Sequence, residues 1–114
     1  MENLAYYIEF LKLQFPVELT FKTKSNKHDD AVYLPKFSNR GNLKAHKITL
    51  YLGNQDIYAR RTIDELIAHE LIHAWQQENK IVEWHGVNFR MRAIEMSQHF
   101  NLPNIYLAEL DADF

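Results

Sequence analysis

Sixteen residues in the middle of the chain, Ile63 to Glu78, are apolar on most sides of a helix. Ile63, Ile67, Leu71 and Ala74 form one stripe, Ile72 and Trp75 flank it, and a helix of that kind belongs where other elements surround it. The segment opens on Thr62-Ile63-Asp64-Glu65, a capping box in which the Thr62 hydroxyl and the Glu65 carboxylate each satisfy a free backbone donor. The rest of the chain must therefore wrap around this helix. Its 114 residues, 46% of them hydrophobic, suffice for one core and leave no room for a second domain.

The flanking segments have the periodicities for that wrapping. Leu4, Tyr7, Ile8, Leu11 and Phe15 recur at helical spacing, which predicts an amphipathic helix from residue 3 to 14, stopped by Pro16. Val17, Leu19 and Phe21 alternate with Glu18, Thr20 and Lys22, the period of a half-buried strand. Ala31 to Phe37 reads as a second strand in which Pro35 marks an edge, and the turn signal Ser38 to Asn42 leads to a third strand from His46 to Leu52. A last helix is predicted from about His85-Gly86 to Phe100, buried through Phe89, Ala93, Met96 and Phe100 and ended by Asn101 and Pro103. The expectation is one α+β domain over residues 1–102, with 103–114 a short acidic tail.

The remaining stripe of the central segment carries Leu66, His69, Glu70, His73 and Gln77. His69-Glu70-Leu71-Ile72-His73 is an H-E-x-x-H motif: histidines four apart on a helix lie about 6 Å apart along its axis, so both can reach one metal ion. With no cysteine in the chain, any metal site must be built from His, Asp and Glu. The third ligand is expected to be His85, since neutral imidazole suits zinc and a short loop can return it; Glu78, Glu83 and Glu95 are the carboxylate alternatives. A metzincin would need Gly and His at the positions of Gln76 and Asn79, which excludes that class. Three neutral histidines leave one zinc per chain with an open position, and Glu70, beside a ligand without being one, is placed to act as general base for a zinc-activated water in peptide-bond hydrolysis. The alternative is an inactive zinc-stabilised binding or adaptor module. A structural site, however, needs four protein ligands and has no use for Glu70.

The run His69 to Trp75, followed by His85-Gly86-Val87-Asn88-Phe89, resembles the SprT-like (Spartan-type) zinc metalloprotease domain, with its HExxHA-aromatic segment and later HGxxF. The resemblance implies a compact minimal zincin fold, zinc on His69, His73 and His85, a catalytic Glu70, and action on DNA-associated proteins.

Charge argues separately about partners. A formal net charge of -2 with both signs interspersed supplies no field to attract DNA or an anionic membrane. The N-terminus has an acid where a signal peptide has basic residues, and no apolar run approaches the roughly 18 residues of a membrane span. The expectation is a cytoplasmic monomer acting on protein or peptide, with substrate added along the strand near His46 to Leu52, taken as an edge. Tyr51, Tyr58, Arg90 and Tyr106 are candidates for steadying an oxyanion. His28 and His46 read as ordinary surface or edge residues, and Arg60, Arg61, Arg90 and Arg92 as solvated basic pairs.

Overall fold

The computed structural model describes residues 3–26, 29–54 and 60–111. Its elements run α1 (Leu4–Leu11), β1 (Val17–Lys22), β2 (Ala31–Phe37), β3 (Leu43–Tyr51), α2 (Ile63–Glu78), α3 (Val87–Phe100) and α4 (Ala108–Asp111). This is a small α+β domain, and α2 spans the residues its capping box and apolar stripes predict. Thr62 Oγ1 accepts from the Glu65 amide while Glu65 Oε1 accepts from the Thr62 amide. Ile67, Ala68, Leu71, Ile72 and Ala74 are completely buried, which is the environment an all-round apolar helix requires.

Helix α1 is shorter than its apolar spacing suggests. Lys12 adopts the left-handed conformation (φ 54°), and the Leu13 amide donates back to the Ile8 carbonyl, so the helix closes four residues before Pro16. Two hydrogen-bonded anchors hold α1 and the turn after it against opposite ends of α2. The Tyr7 hydroxyl donates to Asp64 at 2.7 Å, and the amides of Gln14 and Phe15 donate to the Glu78 carboxylate.

The sheet order is β1-β3-β2, with β1 parallel and β2 antiparallel to the central β3. Strand β3 begins three residues before His46, because the hairpin around Gly41 (φ 82°) extends its pairing with β2 to Phe37 and Leu43. Its central place overturns two expectations. The segment from His46 to Leu52 is not an edge along which a peptide could add, and His46 is not at the surface. His46 is fully buried: Tyr33 donates its hydroxyl to Nδ1, and Nε2 donates to Glu78, each at 2.7 Å. Burial and the Glu78 charge push the Tyr33 pKa up, which keeps that hydroxyl a donor. The exposed edge on this side is β2, where Pro35 sits as expected.

The turn after β3 sets the loop before β2. An ideal Cβ on Gly53 would lie 2.4 Å from the Thr23 carbonyl oxygen and 2.7 Å from the Ser25 nitrogen, so two backbones meet at a residue that is itself exposed. Beside it, Asn54 accepts from the Asn26 amide and donates to Asp29 and Asp30. Gly53→Ala is expected to cost about 1–3 kcal/mol in urea unfolding, as overpacking does; an unchanged midpoint would show that the 23–30 loop yields freely.

Candidate metal centre

His69 and His73 are 5% and 6% exposed, one helical turn apart on α2, and the turn before α3 brings His85 to them across the mouth of a cleft. The ligand atoms of the three histidines lie within 4.8 Å of one another. His69 Nε2 and His85 Nε2 are 3.2 Å apart, close to the roughly 3.3 Å edge of a tetrahedron whose metal–nitrogen bonds are about 2.0–2.1 Å.

The donor chemistry fits a metal as well as the spacing does. His69 Nδ1 lies 2.7 Å from the Ile105 carbonyl, which can only accept, so the proton sits on Nδ1 and the Nε2 lone pair faces the other histidines. Burial, reinforced by the neighbouring His73, holds the His69 pKa well below its ordinary value, so the ring stays neutral. Phe89, fully buried, packs against all three imidazoles with ring centroids 4.7, 4.8 and 5.0 Å away, and Trp84 lies 4.7 Å from His73 at the exposed rim.

Two hydrogen bonds seat His85. The Gly86 amide donates to the Glu83 carbonyl, closing the turn, and a Cβ on Gly86 would lie 2.7 Å from the Glu83 carboxylate. Arg90 Nε donates to the His85 carbonyl at 2.9 Å while its guanidinium lies over the Tyr106 ring. Arg90 is thereby committed to holding the loop, and Arg92 lies over Trp75. Of the carboxylate alternatives, Glu78 is occupied at His46 and the α1–β1 turn, Glu95 faces Arg92 at the surface, and neither these nor Glu83 line the cleft.

The cleft has a volume of about 400 Å³, bounded by β2 residues Ala31 to Tyr33, by the loop at Asp29 and Asp30, and by Arg61, Glu70, Leu110 and Asp111. Neither Tyr51, Arg90 nor Tyr106 lines it, and Tyr58 and His28 lie outside the described residues. Tyr33, Arg61 and Trp84 carry donor groups among the lining residues, with the Tyr33 hydroxyl committed to His46 and Arg61 to Asp111 and the Asn104 carbonyl. Glu70 is 8% exposed, and burial, with the charges of Asp29 and Asp111 and against that of Arg61, raises its carboxyl to about 8.

A testable pH dependence follows for the metal-free protein. The unfolded chain releases the Glu70 proton near 4.5 and the folded one near 8, so folding binds a proton between these values and stability falls as pH rises. His69 acts oppositely, with stability lost as pH falls below 6.5. From pH 6.5 to 8 the His69 contribution fades, and the Glu70 slope amounts to a loss of about 2 kcal/mol at 1.36 kcal/mol per unit. Urea titrations of the chelated protein should show it, and Glu70→Gln should remove it; an identical slope in the variant would place its origin elsewhere.

Asp111 was not legible as part of the site. Its carboxylate accepts from the Leu107 amide and from the Arg61 guanidinium, and it is 7% exposed. Arg61 also donates to the Asn104 carbonyl, and Glu65 accepts from the Asn104 amide. Residues 104–111 thus close one wall of the cleft and supply the carbonyl that orients His69. The signal for this was the apolar spacing of Leu102, Ile105, Tyr106, Leu107 and Leu110.

A scan against protein-family models matches residues 13–108 to the SprT-like family. The chain belongs to the SprT-like family. No curated protein and no solved structure matches it. The SprT-like match covers every element that builds the cleft except the last residues of α4. Among the described residues of this SprT-like chain, no helix is long and apolar enough to cross a membrane.

Proposed function

We propose that the protein is a zinc-dependent endopeptidase in which His69, His73 and His85 hold one zinc ion and Glu70 is the general base. The observation that carries this reading is a group of three histidines converging on one point, beside a buried carboxylate, in a cleft open to solvent. A structural zinc site closes its coordination with a fourth protein ligand, and among the described residues the group contains three. When bound, zinc supplies Lewis acidity, polarising a carbonyl and making water acidic enough to ionise near neutral pH.

The chain's own residues do the rest. Glu70 takes the proton from the attacking water and returns it to the departing amine nitrogen, which needs a carboxylate whose pKa lies near the working pH. Glu70 would be favoured in its ionised, proton-accepting form by a zinc ion held on the three histidines. The hydrogen bonds on the Nδ1 atoms of His69 and His73 keep both Nε2 lone pairs aimed inward. Phe89 closes the floor to water, and Trp84 shields one side. Substrate lies extended along the outer edge of β2, where Ala31, Val32 and Tyr33 border the cleft and free backbone groups can pair with a peptide.

The experiment is elemental analysis of zinc in the purified chain and in His85→Ala, with cleavage of an unfolded protein measured on the same samples. About one zinc per wild-type chain, lost with the proteolysis in the variant, is expected. Zinc unchanged in His85→Ala would remove His85 from the site, and no zinc under metal-replete conditions would sink the reading.

A further inference from the structure

Gln76 is fully buried on α2, one turn beyond His73, and is neither a ligand nor a party to the proton transfer. Its side-chain amide bridges two parts of the site. Nε2 donates to the Glu83 carbonyl at 2.9 Å, and because a carbonyl can only accept, this contact decides which way the amide faces. Oε1 is then turned to His73 Nδ1, 2.9 Å away, and can only accept there. The imidazole proton is thereby held on Nδ1, and the Nε2 lone pair is directed at the other two histidines. Glu83 is two residues before His85, in the turn whose next closure is the Gly86 amide on the same Glu83 carbonyl. One side chain therefore sets the tautomer of the second histidine and the seat of the third.

We propose that Gln76 is a positioning residue for the metal, orienting His73 through Oε1 and tethering the His85 turn through Nε2. This rests on the three-histidine reading of the site. The Gln76 backbone carbonyl accepts from the Ile81 amide, so the main chain leaving α2 is held independently of the side chain. That separation lets substitutions at the side chain report on the site. Gln76→Met keeps the volume and removes both contacts. Gln76→Glu keeps an acceptor for His73 and loses the donor to Glu83, so it divides the two roles.

The test is zinc affinity by competition with a chromophoric chelator, alongside nitrogen NMR of the His73 ring in the metal-free protein at pH 8.5. Wild type is expected to show a single Nδ1–H tautomer. Gln76→Met should mix the tautomers and bind zinc about 10- to 100-fold more weakly. Gln76→Glu should keep the tautomer and still bind more weakly than wild type, because the tether is gone. A buried amide serving packing alone would leave the tautomer unmoved. Wild-type affinity with an unmixed tautomer in Gln76→Met would overturn the proposal; should that variant not fold, wild-type affinity in Gln76→Glu would overturn the tether. A wild-type chain that takes up no zinc in this competition would overturn the metal reading and this inference with it, whereas zinc held equally by all three chains defeats the inference alone.

Discussion

Glu70→Gln is expected to leave about one zinc on the chain and to lower kcat/KM on an unfolded protein substrate by about 100- to 10,000-fold, the range that general acid–base catalysis contributes. The substitution preserves the shape and buried position of the side chain on α2 and removes its capacity to take a proton. Zinc should stay because the converging group consists of His69, His73 and His85. The loss should fall on kcat more than on KM, since the carboxylate acts on a proton in flight and the proposed peptide site lies elsewhere, along β2. Zinc content and steady-state kinetics on one preparation separate the outcomes. Full proteolysis by the variant would exclude Glu70 as the base, and loss of zinc with activity would make it part of the metal's own shell.

Removal of the residues beyond Leu102 is the second large effect. Ile105 is 1% exposed and its carbonyl receives the His69 Nδ1 proton; deletion opens a cavity beside α2 and frees that ring to turn. Arg61 loses Asp111 and the Asn104 carbonyl, and Glu65 loses the Asn104 amide while keeping that of Thr62, so both charged groups at the head of the central helix lose partners. Together these should cost about 3–5 kcal/mol. That is a large share of the roughly 5–15 kcal/mol that holds a domain folded. Urea unfolding of the shortened chain, with zinc uptake measured in parallel, is the check. An unshifted midpoint would show the segment to be a passive tail.

Much of the molecule can be read without coordinates, and the reason is local. The bounds of α2 follow from a capping box and from apolar residues on most of its circumference, and both are properties of a few neighbouring positions. The pair His69 and His73 shares a face for the same reason, since four residues make just over one helical turn. Strands β1 and β2 show themselves by alternation and by the tolerance of an edge for Pro35.

What sequence spacing could not settle depends on which segments meet. His46 has the pattern of an ordinary strand residue, and only the order β1-β3-β2 places it in the middle of the sheet, sealed against Tyr33 and Glu78. The same order moves the open edge from β3 to β2 and with it the proposed path of a substrate. Arg61 and Asp111 are 50 residues apart, and their pairing at the cleft needs the chain after α3 to return across α2. Gln76 looks like any polar residue near a helix end until the Glu83 carbonyl is brought within reach. Sequence by itself determined the helix and the histidines, because periodicity and capping act over a few residues. Only tertiary structure decided the partners that aim those histidines, because a hydrogen bond between distant segments leaves no period in either.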